Sequence, residues 1–84
     1  MNKKDIESTL SKIITNFTEF NMKEANRSTS LREDIGLSSF DIIALITDIE
    51  EAFAISIDDF EKVADLTTFG EAVDLIAGLL DAGS

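Results

Sequence analysis

The sequence has no cysteine and no histidine. Their absence excludes disulfides, thiolate and imidazole metal ligation, a thiol nucleophile, and a side chain that ordinarily titrates near neutral pH. No apolar stretch approaches the ~18 residues of a membrane-spanning helix. Met1-Asn2-Lys3-Lys4 leads into Asp5 and Glu7 rather than into the apolar segment of a signal peptide. A Gly-rich phosphate loop, an internal repeat and a low-complexity tract are also missing. Carboxylates can still bind a hard cation or move protons, so enzymes are made less expected without being excluded. No metal site, catalytic residue or membrane insertion is assigned, and the expected location is the cytoplasm.

At 84 residues the chain is expected to form one domain over residues 1–84, because it is too short to bury two useful cores. Ile, Leu, Val and Phe supply 27 of those residues, enough for the chain to collapse rather than stay disordered. The formal net charge is -10, and it is unevenly placed. Residues 1–33 hold five acids and six bases, whereas residues 34–84 hold twelve acids and only Lys62. Such a field repels nucleic acid and anionic membranes and attracts basic patches on proteins; it also keeps a small protein soluble.

Ile6, Leu10, Ile13, Ile14 and Phe17 recur at helical spacing and predict an amphipathic helix over about residues 4–18. From Phe20 to Ser38 the pattern weakens, and Asn21, Asn26, Ser28, Thr29, Ser30 and Gly36 favour irregular backbone. Leu31, Ile35 and Leu37 are read as pins holding this long loop to the core. A second helix is predicted from Ser39 to about Phe53, with Ile42, Ile43, Ile46, Ile49 and Phe53 inward and Asp41, Asp48, Glu50 and Glu51 flanking. Ala54-Ile55-Ser56-Ile57 alternates like a strand but has no partner strand, so it is read as a connector. Asp58 to Ala64 can form one or two helical turns. Thr68 and Glu71 fit a capping box opening a last helix, with Phe69, Val73, Ile76 and Leu80 inward and fraying at residues 81–84. The expected fold is all-α, a compact four-helix bundle with a helical core over about residues 4–80, a long first loop and a short third helix.

One junction in this pattern suits chemistry. In Gly36-Leu37-Ser38-Ser39-Phe40-Asp41, Gly36 permits a left-handed turn, Ser38 serves as N-cap and Asp41 at N3 returns a hydrogen bond to the cap. Ser39 then occupies N1, its hydroxyl toward solvent beside unpaired N–H groups that favour an attached phosphate ester. Taken alone, a serine pair followed by an acid is more often a helix cap than a modification site. The adjacent Ser38 is the better cap, which leaves Ser39 as the modifiable residue.

The segment Glu33-Asp34-Ile35-Gly36-Leu37-Ser38-Ser39-Phe40-Asp41, with Leu45 and Ile49-Glu50-Glu51-Ala52-Phe53 following, resembles the acyl carrier protein family and its peptidyl and aminoacyl carrier relatives. The resemblance runs over roughly residues 5–80 and includes Ile57-Asp58-Asp59 and Thr68-Phe69-Gly70-Glu71-Ala72-Val73. Order and spacing make it specific, rather than the short serine motif. In that family the motif reads Gly-x-Asp-Ser-Leu-Asp, and its serine carries 4'-phosphopantetheine donated from coenzyme A by a phosphopantetheinyl transferase, or holo-carrier synthase. Ser39 matches the modified serine, Gly36 the glycine and Asp41 the acid. Ser38 replaces the usual Asp and Phe40 the usual Leu. Asp58 stands where proline is common, and the segment before Thr68 is one residue longer than in common members. The first difference bears on which transferase recognises the chain; the second offers a bulkier apolar contact.

The resemblance implies a carrier rather than an enzyme. The arm would supply the thiol that the polypeptide lacks, while visiting enzymes make and break bonds. Docking is expected on the second helix and the start of the third, through Phe40, Asp41, Ala44, Asp48, Glu51 and Asp59. The partners would be acyl transferases, ketosynthases and related enzymes with basic patches. Ala44 stands where many relatives have an acid, so a more specialised interface is expected. Ile43, Ile46, Ile49, Ile57, Leu66 and Ile76 are candidates to line an apolar cargo cavity, although such residues are more often ordinary core. Fatty-acid biosynthesis by a free-standing, monomeric carrier is the expected role. A polyketide, peptidyl or aminoacyl carrier competes with it. An acidic, non-catalytic protein-binding bundle is the reading from a different class. An enzyme built on Asp58 and Asp59 is weaker, because no opposed catalytic group is visible.

Overall fold

The computed structural model describes residues 2–58, 61, 63 and 65–82. The described chain forms helix α1 (Lys3–Thr15), a 3-10 turn (Met22–Glu24), helix α2 (Ser39–Phe53) and helix α3 (Phe69–Ala82). Helices this short are marginal alone, so their apolar faces must hold them together. Helix α1 packs against both α2 and α3. Its Ile6, Leu10 and Ile14, a repeat of four, are fully buried at the centre, joined by Ile42, Leu45, Ile46, Ile49 and Phe53 of α2 and by Phe69, Ala72, Val73 and Ile76 of α3.

Helix α1 stops sooner than the apolar spacing predicts. The Asn16 N–H turns to the carbonyls of Ile13 and Ile14, tightening the last turn. Thr18 then donates its hydroxyl to the Ile35 carbonyl at 2.7 Å and accepts the Phe20 N–H at 3.1 Å, which turns the chain into the loop. Phe17 remains half-buried against the core, just beyond the helix.

The long loop is pinned as expected: Leu31, Ile35 and Leu37 are buried. A second fastening was not legible in the sequence. Leu31 N–H donates to the Thr67 carbonyl and Phe69 N–H to the Thr29 carbonyl, both at 2.9 Å, and Ser30 and Thr68 form an isolated antiparallel bridge. The loop and the entry to α3 therefore satisfy each other's backbone.

Helix α2 has the predicted bounds, but its buried stripe is Ile42, Leu45, Ile46, Ile49 and Phe53. Ile43, expected inward, is 60% exposed. At about 100° per residue it falls on the flank of the stripe, and Leu45 takes the inward place. Ala54 closes α2 in the left-handed region at φ 54. The connector contains no strand among the described residues. Its Ile57 N–H donates to the Glu50 carboxylate at 3.0 Å, so Glu50 fastens the connector rather than merely flanking the helix.

The expected four-helix count is not confirmed: the described residues show three full α-helices and a 3-10 turn, with Glu61 and Val63 also helical. Of the short helix predicted over 58–64, Asp59, Phe60, Lys62 and Ala64 lie outside the described residues, while Asp65 N–H donates to the Glu61 carbonyl at 3.1 Å with helical spacing. Helix α3 opens on Thr68, whose hydroxyl accepts the Glu71 N–H at 3.2 Å. It continues to Ala82 rather than fraying at residue 81, and Leu80 is half-buried where an inward position was expected. Gly83 and Ser84 lie outside the described residues.

Candidate functional site

The start of α2 has the capping geometry its sequence requires. Asp41 N–H donates to Ser38 Oγ at 3.1 Å, and Ser38 N–H donates to Asp41 Oδ2 at 2.9 Å. The cap occupies the Ser38 hydroxyl and leaves that of its neighbour available. Ser39 is exposed at the first helical position. The Ser39 and Phe40 N–H groups have no hydrogen-bond partner among the described residues, so the positive end of the helix faces outward there.

The preceding loop is fixed on both sides of the turn that delivers this serine. Glu33 N–H donates to Ser30 Oγ at 3.0 Å, Ser30 N–H to Asp34 Oδ2 at 2.7 Å, and Leu37 N–H to the Leu31 carbonyl at 3.0 Å. Gly36 makes the turn at φ 85, a conformation that costs a side-chain-bearing residue about 1–2 kcal/mol. Between buried Leu31 and this turn stands Arg32, whose Nη1 donates to Ser39 Oγ at 3.0 Å. Arg32 is the last base before Lys62 in the chain, and no motif in the sequence announced its contact with Ser39.

This arrangement fits a phosphate ester on Ser39. The hydroxyl is exposed, a guanidinium is within hydrogen-bond distance, and the Asp41 carboxylate is turned into the cap.

Beside the serine lies an apolar surface. Phe40 is 84% exposed and, with Ile43 three residues on, forms one exposed apolar strip. Ala44 and Glu51 are exposed, and Asp48 and Asp41 are half-buried. Phe40, Ala44 and Glu51 thus lie on the outside, and Ile43, expected inward, joins them there. Asp59, the remaining docking candidate, lies outside the described residues. Of the cavity candidates, Ile46, Ile49, Ile57 and Ile76 are buried together in the core, Leu66 is half-buried, and Ile43 is on the surface. No helix among the described residues is long and apolar enough to cross a membrane.

Known proteins match this architecture. Residues 8–76 match the phosphopantetheine attachment site family. The chain is 33% identical over 76 residues to an acyl carrier protein of Rubrobacter xylanophilus, covering 90% of this chain and 93% of the relative. It is 46% identical over 61 residues to a mitochondrial acyl carrier protein of Saccharomyces cerevisiae, covering 71% of this chain and 47% of the relative, so it spans about half the length of that curated protein. In fold it is similar to the acyl carrier protein of Thermotoga maritima, with TM-score 0.84, 20% identity and coverage of 100% and 96% of the two chains. It is also similar to that of Enterococcus faecalis, with TM-score 0.78, 23% identity and coverage of 94% and 99%.

Proposed function

The chain belongs to the phosphopantetheine-binding acyl carrier protein family, and from that membership we propose that Ser39 bears the covalent 4'-phosphopantetheine arm and that the protein carries acyl intermediates for fatty-acid biosynthesis. The observation that carries this reading is the exposed Ser39 hydroxyl at the first position of α2, beside a neighbour whose own hydroxyl is occupied by the cap.

When attached, the arm supplies the terminal thiol on which an acyl group is held as a thioester. The residues of the chain do the remaining work. In loading, the Ser39 oxygen forms the new bond to the phosphorus nearer the pantetheine of coenzyme A. The bond between that phosphorus and the bridging oxygen of the pyrophosphate breaks, adenosine 3',5'-bisphosphate leaves, and the hydroxyl proton passes to a base of the transferase. Ser38 and Asp41 hold the first turn of the helix so that the oxygen faces the incoming enzyme. Phe40 and Ile43 give that enzyme an apolar contact, and Asp48 and Glu51 attract its basic patch from a distance. The proposed unit is one monomeric carrier domain over residues 1–84. Residence in the cytoplasm is part of the reading; the yeast relative's name, acyl carrier protein, mitochondrial, makes an organelle the competing location.

Support for a dedicated polyketide, peptidyl or aminoacyl carrier comes from the same surface. The bulk of Phe40, exposed Ile43 and uncharged Ala44 make the strip beside Ser39 more apolar than a purely electrostatic dock requires. Incubation with coenzyme A and a broad-specificity phosphopantetheinyl transferase tests the common core of both readings. Intact mass should rise by one phosphopantetheine unit for the wild type and for Ser38→Ala, and not for Ser39→Ala. A wild-type mass unchanged by several competent transferases rejects the carrier and leaves the acidic protein-binding bundle. Mass analysis of protein from its native host then identifies the cargo.

A further inference from the structure

We propose that Arg32 is a positioning residue for the arm, its guanidinium holding the phosphodiester on Ser39 against the first turn of α2. This rests on the assignment of Ser39 as the attachment point.

The contact begins as a hydrogen bond to the unmodified hydroxyl, Arg32 Nη1 to Ser39 Oγ at 3.0 Å. Esterification of that oxygen places an anionic phosphodiester one bond further out. A guanidinium that already reaches the ester oxygen is then within reach of a non-bridging one. The interaction changes from a hydrogen bond with a neutral acceptor to one between opposite charges, the stronger and shorter kind. Arg32 is available for it, since among the described residues it makes no ion pair with a carboxylate, unlike Lys3 and Arg27, which both pair with Asp74.

Two further features favour the pairing. Residues 34–84 hold twelve acids and one base, so a new negative charge at Ser39 enters an unfavourable field that Arg32 locally opposes. The backbone of Arg32 is also already ordered, between buried Leu31 and the turn closed by Leu37 N–H on the Leu31 carbonyl. Pairing therefore requires only the side chain to be fixed. Because Arg32 and Ser39 are both exposed, water and salt screen the contact, and a change of about two- to five-fold in the ratio of engaged to released arm is the expected scale.

Phosphorus NMR of the loaded protein tests this. In the wild type the 31P resonance should differ from that of the same protein unfolded in urea. Arg32→Ala should lose most of that difference, Arg32→Lys should keep part of it, and salt on the order of 1 M, where the screening length falls to about 3 Å, should mimic the alanine variant. Far-ultraviolet circular dichroism of each variant checks that the fold is retained. If the resonance is the same in wild type and Arg32→Ala at low salt, the helix start holds the phosphate without Arg32 and the proposal is wrong, while Ser39 stands as the attachment point. If intact mass shows no loading of the wild type, the underlying assignment falls and takes this inference with it.

Discussion

Gly70 and Arg27 approach so closely that no side chain fits between them. The Gly70 N–H donates to the Arg27 carbonyl at 3.1 Å, and a Cβ on Gly70 would lie 2.8 Å from both Arg27 Cβ and Arg27 O. This contact fastens the long loop to the first turn of α3, and the Arg27 guanidinium, 2.6 Å from Asp74, continues it along the helix. Because one clashing atom is backbone carbonyl, the loop must move to admit a methyl group.

Two glycines should consequently fail for different reasons. Gly70→Ala is expected to lose about 1–3 kcal/mol through overpacking. Gly36→Ala should lose about 1–2 kcal/mol through its left-handed backbone, since nothing lies within 4 Å of a Cβ there. Asparagine separates the two: it tolerates φ > 0 and should restore part of the loss at position 36, while its greater bulk worsens position 70. Urea unfolding midpoints measure all four variants.

At the other end of α2 a glycine is missing. Ala54 adopts φ 54 at the C-cap, where its Cβ is disfavoured, and its side chain is exposed, so nothing is lost by removing it. Relief of the backbone strain is partly offset by the greater freedom of glycine in the unfolded chain. Ala54→Gly should gain about 0.5 kcal/mol, raising the melting temperature by about 3 °C. An unchanged or lowered melting temperature would show that Ala54 carries no net strain.

Acid should weaken the fastening of the loop and of α1 to α3. Hydrogen bonds from Lys3, then from Arg27, hold the Asp74 carboxyl below its ordinary value, and the Thr67 hydroxyl, with Thr68 behind it, does the same for Glu71. Each folded carboxyl is a stronger acid than its unfolded counterpart. The stability it contributes is therefore complete above the ordinary carboxylate range and is lost as pH falls through that range toward the folded value. In thermal melts, Asp74→Asn should differ most from the wild type at neutral pH and converge on it below about pH 4. A gap that stays constant across this range would contradict the assignment. Both carboxylates are exposed, so the effect should shrink in high salt.

The apolar strip beside Ser39 should matter to partners and not to folding. Phe40→Ala and Ile43→Ala, at 84% and 60% exposure, should change stability by no more than about 0.5 kcal/mol. Phe40→Ala should weaken binding to a ketosynthase or acyl transferase by about ten-fold, as truncation of an aromatic anchor does. Charge reversal through Asp48→Lys with Glu51→Lys should slow association, and the difference from wild type should close as salt is raised. Surface plasmon resonance at two ionic strengths separates these effects; unaltered binding by both sets of variants would place the dock on another face.

Most of what is governed by neighbours three or four residues apart is legible along the chain. Ser38 and Asp41 specify the start of α2, Thr68 and Glu71 that of α3, and the Ile6–Leu10–Ile14 repeat specifies the buried face of α1, because a cap or a helical stripe depends on local spacing alone. Position 39 as an exposed hydroxyl follows from the same spacing. The family order of motifs added the chemistry, which no local pattern supplies.

The tertiary path decided the rest. Arg32 meets Ser39 only because Gly36 reverses the loop between them. Thr29 and Leu31 pair with Phe69 and Thr67 across nearly half the chain, Ile43 is turned outward by the rotation of α2 that seats Leu45, and Glu50 is drawn to Ile57. Hydrophobic spacing fixes which face of a helix is apolar. Where that face meets its neighbours depends on how the loops close and on which backbone groups remain to be paired, and those are properties of the folded chain.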